Sequence, residues 1–298
     1  MQRERVSENV YWFQSDVYAQ VTAGVITGPQ WAVVIDTLAL PDETLAMRSF
    51  IEEELSVPVR YIINTHNHAD HTWGNCFFPG ATIVAHSLTG QIMAERGQTA
   101  LEAARKQNPA FKNVKIVLPH LTFDEGQITL RVGKKNLVLF STPGHSRDGI
   151  SVLVEEDRVL FAGDAFMPIP YVVDGNLDQL SETMKSMGKM GLENIIQGHG
   201  DIVLRGEIDN AVKENVAYLS AVRKSVKAAL KRRNPLEALS QVDISTCGKS
   251  RVYLGGLAED LHRRNLRAVL KQIAEAEGID LAAIVAIAQQ EQEYEEDV

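Results

Sequence analysis

The chain has 298 residues, 45% of them hydrophobic and 23% charged, with a formal net charge of −9. That length allows one large domain, or a catalytic domain with an appendage, and a core built without disulfides. The acidic balance, with Lys and Arg spread over both halves in no long basic block, excludes a protein that holds nucleic acid chiefly by neutralising phosphates.

The charged start Met1-Gln2-Arg3-Glu4-Arg5 leads into no apolar signal core, and the longest apolar run near the C terminus, residues 281–288, is too short for a bilayer. With two cysteines only, Cys76 and Cys247, the expectation is a cytoplasmic protein with reduced thiols and no membrane contact. Cys76 is read as a small buried residue. Residues 17–26 and 31–35 are rich in β-branched and aromatic side chains and flank the turn Gly28-Pro29, which predicts two strands. Pro41, followed by Asp42 and Glu43, opens a helix running to about Leu55. Residues 59–64 predict a strand, as do residues 82–85, and a helical stretch then runs through Lys106 and stops before Asn108-Pro109. Strands follow over residues 114–118, 127–132, 136–140, 150–154 and 158–161, then a helix over residues 177–190 and a short strand at 194–196.

After Glu207 the strand signal disappears. Val212, Val216, Leu219, Val222 and Val226 recur every three or four residues and mark an amphipathic helix. Leu257, Leu261, Leu266, Val269, Leu270 and Ile273 mark another. A boundary is placed near Arg205, dividing residues 1–205, the catalytic region, from residues 206–298, a helical region with a frayed acidic tail from Gln289. The succession of strands and helices predicts a layered α/β domain.

The chemistry is concentrated in Thr65-His66-Asn67-His68-Ala69-Asp70-His71, directly after an apolar strand. Three histidines and an aspartate so close together cannot be a core segment, because burying them unpaired costs several kcal/mol. Alternation along an extended chain sends His66 and His68 to one side, where they can chelate one ion. Asp70 and His71 fall where the chain must turn and can face a second. Imidazole with carboxylate suits zinc, iron or manganese. Downstream, Thr142-Pro143-Gly144-His145, Gly163-Asp164 and Gly198-His199-Gly200 each follow a predicted strand, where open α/β sheets place their sites.

The set H-x-H-x-D-H, T-P-G-H, G-D and G-H-G resembles the metallo-β-lactamase superfamily from about Val10 to Leu204. The resemblance implies an αβ/βα four-layer sandwich with the site along one edge. It also implies that His66, His68 and His145 bind one metal, that Asp70, His71 and His199 bind the other, and that Asp164 bridges them. Two divalent ions, zinc foremost, would share a water and lower its pKa towards neutrality. The substrate oxygen would coordinate one ion, and Asp70 would orient the hydroxide or shuttle its proton. No serine or cysteine nucleophile is needed. Among the subgroups, the secreted zinc β-lactamases carry a cysteine where Asp164 stands, and the tRNA-processing nucleases fit poorly with the acidic charge. Glyoxalase II enzymes place a second histidine near Asp148 and have a glutathione-binding segment that finds no match here. The reading is therefore a hydrolase of small-molecule esters, lactones or thioesters, whose helical region covers the cleft or forms a homodimer contact. The alternatives are a mononuclear iron dioxygenase resembling the persulfide dioxygenases, in which His71 and His199 would be surplus, and a phosphodiesterase. Tyr171 is a candidate substrate contact. Asp148 is read as either a partner of the site or a turn residue. His86 and His120 are read as capping or surface histidines, and His262-Arg263-Arg264-Asn265 as a solvated helix face.

Overall fold

The computed structural model describes residues 1–281, so the acidic tail and all but the first residue of the 281–288 run lie outside the described residues. The first sheet contains, in spatial order, β1 (Gln2–Ser7), β2 (Val10–Gln14), β3 (Thr22–Thr27), β4 (Ala32–Ile35), β5 (Val59–Ile63), β6 (Thr82–His86) and β7 (Leu121–Phe123). Its first four strands are antiparallel and the pairs from β4 to β7 are parallel. The second sheet is formed by β8 (Gln127–Val132), β9 (Lys135–Ser141), β10 (Ile150–Val154), β11 (Val159–Gly163), β12 (Asn194–Gln197) and β13 (Val203–Leu204), with only β11 and β12 parallel among its pairs. The helices are α1 (Pro41–Ser49, prolonged by a π-helical turn to Glu54), α2 (Ala69–Thr72), α3 (Ser87–Ile92), α4 (Gln98–Gln107), α5 (Leu177–Gly188), α6 (Ile208–Ala229), α7 (Pro235–Ser240) and α8 (Ala258–Glu277).

Strand alternation sorts the buried side chains into layers. Val33, Ile35 and Ile63 of the first sheet meet Leu139, Val152 and Phe161 of the second in a central core. The intervening residues Ala32, Val34 and Ile62 face outward onto Met47, Phe50 and Ile51 of α1 and its continuation. On the other side, Leu160, Ala162 and Ile195 face α5, α6 and α8. Each large side chain buried in these layers contributes about 1.5–3 kcal/mol. The result is the expected four-layer αβ/βα sandwich, in which the central strands are apolar on both faces because helices cover the outside. The outer cluster runs without interruption across Arg205, from Leu160 and Leu180 to Tyr218, Leu266 and Val269. No described helix is long and apolar enough to cross a membrane, and both cysteines are unpaired, Cys247 buried and Cys76 half-buried.

Several elements differ from the sequence reading. β1 was not predicted because it is a polar edge strand (its Gln2 to Arg5 are exposed) and carries no apolar alternation. β2 was not predicted either, although it is apolar and almost wholly buried. The strand expected to begin at Val17 begins at Thr22: Val17 is 74% exposed, and Ala19 and Gln20 take left-handed φ values of 49° and 52°. Residues 114–118 form no strand. Val114 is buried with Trp73, Leu101 and Phe111, so these apolar side chains cover α4 rather than extend a sheet. The edge position is taken instead by β7, beside β6.

Candidate metal centre

The site lies where four strands end. Past β5, Asn64 donates to the His71 carbonyl at 3.1 Å and pairs with Asn75, whose amide returns a bond to Asn64 Oδ1 at 2.8 Å. This buried clasp closes residues 64–75 into a compact loop. Within it the chain bends at residues 65–67, which include His66, runs extended at His68 and then turns into α2, which carries Asp70 and His71. His145 follows β9, Asp164 follows β11 and His199 follows β12. Gly163 has φ 52°, the left-handed turn that glycine adopts without strain and that brings Asp164 round to the site. A Cβ on Gly198 would stand 1.9 Å from Asp164 Oδ1, so only glycine lets the two strand ends approach this closely.

The structure brings all seven predicted residues together in two groups. His66, His68, His145 and Asp164 each offer one ligand atom, and these atoms lie within 4.8 Å of one another, as do those of Asp70, His71 and His199. His66 Nε2 and His145 Nε2 each stand 3.0 Å from His68 Nδ1. Asp164 reaches both groups: Oδ2 is 3.3 Å from His145 Nε2, and Oδ1 is 3.2 Å from His71 Nε2 and 3.5 Å from His199 Nε2. Asp70 Oδ2 is 3.4 Å from His199 Nε2.

The tautomers follow from the far side of each ring. His145 Nδ1 donates to the Tyr171 carbonyl at 2.6 Å, and His199 Nδ1 donates to the Ala19 carbonyl at 2.8 Å. His71 Nδ1 donates to Asp36 Oδ2 at 2.9 Å. Thr65 gives its hydroxyl proton to Asp36 and accepts from His66 Nδ1 at 3.0 Å. His68 is reversed, with Nε2 turned to Asp174 at 3.5 Å and Nδ1 turned inward. Five imidazole lone pairs therefore point at two places. His71 Nε2 and Asp164 Oδ1 are buried and make no hydrogen bond. Orphaned atoms of this kind are rare in a folded core, and the N,O donor set fits divalent cations.

Burial and the neighbouring carboxylates set the rings apart. Burial, reinforced by the neighbouring His71 and His68, holds His66 well below its usual pKa. Burial likewise lowers His145, to about 4, so both rings stay neutral and keep a lone pair. Burial also lowers His71, but the carboxylates of Asp164, Asp36 and Asp70 outweigh it and raise the group well above its usual value. Burial would raise Asp164, yet His199, His71 and His145 hold it well below the carboxylate range.

Sequence reasoning missed the residues behind these rings. Asp36 follows β4 at the same strand-end position that marked the other candidates, and that was its signal. Asp148 is buried and accepts from both Asn67, at 3.0 Å, and Thr89, at 2.8 Å, so it ties the histidine loop to α3. His86 caps α3 by accepting from Leu88 N at 3.1 Å, and His120 accepts from Ile83 N at 3.0 Å, both away from the cluster. The expected solvated face at 262–265 is corrected: His262 and Asn265 are wholly buried, bonded to Tyr218, and only Arg263 and Arg264 face out. Tyr171 lines the cleft beside the cluster, its ring centroid 5.6 Å from that of His145.

Comparison with known proteins agrees with this architecture. The model of the metallo-beta-lactamase superfamily matches residues 18–239. A beta-lactamase-like protein 2 homolog of Caenorhabditis elegans is 23% identical over 187 residues, 63% of this chain and 56% of its own length. A thioesterase of Emericella nidulans is 25% identical over 205 residues, 68% of this chain and 48% of its own. The chain thus spans about half the length of these curated relatives. Among solved structures, a metallo-beta-lactamase family protein from Thermus thermophilus superposes with a TM-score of 0.65 at 19% identity, covering 88% of this chain and 94% of that one. A metallo-beta-lactamase from Pontibacter korlensis gives 0.59 at 18% identity over 71% of this chain and 97% of its own. With the family match extending over most of its length, and with the same fold in these solved structures, this chain belongs to the metallo-beta-lactamase superfamily.

Proposed function

We propose that the protein is a hydrolase of small-molecule esters, lactones or thioesters that works with two divalent cations, zinc foremost. The observation that carries this reading is the pair of facing donor groups joined by the two oxygens of Asp164. His66, His68, His145 and Asp164 Oδ2 would hold one cation, and Asp70, His71, His199 and Asp164 Oδ1 the other. When bound, such a pair supplies hydroxide near neutral pH and polarises the substrate oxygen.

The remaining chemistry belongs to the side chains. Asp70 is partly open to the cleft, with 19% of its side chain exposed, so it can orient the attacking water and take its proton. The neutral His66 and His145 keep their lone pairs inward because Thr65 and Tyr171 occupy their outer nitrogens. The cleft, of about 370 Å³, is walled by Trp73, Ile92, Met93 and Val173, with Tyr171 on one side and Arg96 at its mouth. These walls favour an apolar acyl group and exclude water from the reacting carbonyl. The thioesterase among the relatives makes thioesters the first substrates to try.

The test is a panel of thioesters, lactones, aryl esters and phosphodiesters presented to protein reconstituted with zinc. Acyl substrates with apolar chains are expected to be turned over. Their kcat/KM should rise about tenfold for each ~1.4 kcal/mol by which a longer chain stabilises the transition state within the cleft. Turnover of the phosphodiesters alone, or oxygen consumption with sulfur substrates, would sink the acyl-hydrolase reading.

A further inference from the structure

We propose that α8 is a working part of the metal centre, with Asn265 and Gln272 as positioning residues for the imidazoles of His145 and His68. The inference rests on the two-cation reading and deepens it by assigning a role to the helical region after Arg205.

Asn265 is fully buried, and its amide clamps the chain on both sides of Tyr171. Its Oδ1 accepts from Val172 N at 2.8 Å, and its Nδ2 donates to the Pro170 carbonyl at 2.7 Å. The Val172 N–H and the Tyr171 carbonyl belong to one peptide group, and that carbonyl is the acceptor for His145 Nδ1 at 2.6 Å. A continuous line therefore runs from Asn265 Oδ1 through a single planar peptide to the metal-facing ring. Because the peptide is rigid, the amide of α8 fixes the direction in which the Tyr171 carbonyl points. Polarisation along the line strengthens the bond to His145 and raises the basicity of its Nε2.

Seven residues on, two helical turns along the same face, Gln272 repeats the clamp. Its Oε1 accepts from Leu177 N at 3.3 Å and its Nε2 donates to the Gly175 carbonyl at 3.1 Å. Between the two clamps the chain also bonds to the His145 strand end, through Val173 N to His145 O at 3.4 Å and Asn176 N to Gly144 O at 2.9 Å. This same stretch carries Asp174, which faces His68 Nε2 at 3.5 Å. Two of the three outer partners in that donor group, the Tyr171 carbonyl behind His145 and Asp174 behind His68, thus sit on a loop that α8 holds, while the third, Thr65 behind His66, lies past β5.

Tyr218 provides the control. Its hydroxyl accepts from Asn265 Nδ2 at 3.0 Å and bonds His262 at 3.0 Å, in the same buried network, but it touches neither the loop peptide nor a metal-facing ring. The experiment compares parent, Asn265→Ala, Gln272→Ala and Tyr218→Phe by cobalt(II) titration of metal-free protein. The readouts are affinity, the visible absorption bands and the thermal unfolding midpoint. Asn265→Ala is expected to lose about 10–100-fold in cobalt affinity at one site, with shifted bands. Gln272→Ala should lose less, with the same direction of shift. Tyr218→Phe should unfold at lower temperature yet keep the parent's affinity and spectrum. A folded Asn265→Ala with parental affinity and bands overturns the proposal, as does a Tyr218→Phe that loses metal equally. If Asn265→Ala does not fold, an unchanged affinity and spectrum in Gln272→Ala overturns it. A parent that takes up no cobalt at all would instead refute the metal reading, before any variant is compared.

Discussion

Replacing Asp164 with alanine is expected to reduce kcat/KM by at least ~10³-fold, a loss of about 4 kcal/mol of transition-state stabilisation. The carboxylate reaches both donor sets, with one oxygen 3.3 Å from His145 Nε2 and the other 3.2 Å from His71 Nε2. Asp164→Asn should lose nearly as much, since an amide keeps the volume but surrenders the charge. The loss is expected to appear in kcat rather than KM, because the apolar cleft walls are untouched. Metal-free protein offers a second readout. Asp164 is the strongest of the carboxylates that raise His71 and His199 against the effect of burial. Without it, both rings should release their protons at lower pH than in the parent, which histidine resonances followed by NMR would show. Unchanged titration together with retained activity would remove Asp164 from the centre of the site.

Asp36→Ala is expected to cost about 3–5 kcal/mol of stability, although the residue lies behind the proposed ligands. It is 3% exposed and accepts three bonds, from Thr65 N at 2.8 Å, Thr65 Oγ1 at 2.7 Å and His71 Nδ1 at 2.9 Å. Alanine leaves three buried donors without an acceptor. Asp36 also has φ 57°, a left-handed conformation that Asn tolerates far better than Ala. Asp36→Asn therefore separates backbone from charge: it should unfold closer to the parent while still losing about 10–100-fold in metal affinity, because His71 loses its anionic partner. Chemical denaturation and metal titration of the two variants check this. Equal metal affinity in Asp36→Asn and parent would show that the carboxylate only supports the fold.

The candidate ligands were legible because coordination needs particular side chains, and a layered α/β sheet presents them at strand ends beside glycine. His66, His68, Asp70 and His71 announce themselves by composition alone, whereas His145, Asp164 and His199 needed one another. The partners behind the rings were harder to see for a physical reason. His199 and His145 are held by the carbonyls of Ala19 and Tyr171, and any residue supplies a carbonyl, so residue type carries no signal. The loop at 17–20 even reads as strand from its side chains, while its positive φ values place Ala19 O under His199. Asn265 and His262 misled in the opposite sense. Polar residues on a helix predict solvent contact unless a buried partner is known, and their partners lie on α6 and on the 170–172 loop, distant in sequence. Alternation of strands and helices made a layered α/β domain readable, and the resemblance carried by the ligand motifs implied the four layers. By contrast β1, a polar edge without apolar pattern, and β2 were not foreseen, and the apolar residues of 114–118 pack on a helix instead of pairing.

The most direct test of the two-cation account is elemental metal content per chain, measured on protein purified without added metal and without chelator. Close to two divalent ions per chain are expected, zinc foremost, falling towards one or none in Asp164→Ala. A single iron per chain with little zinc, unaffected by substitution of His71 or His199, would contradict it.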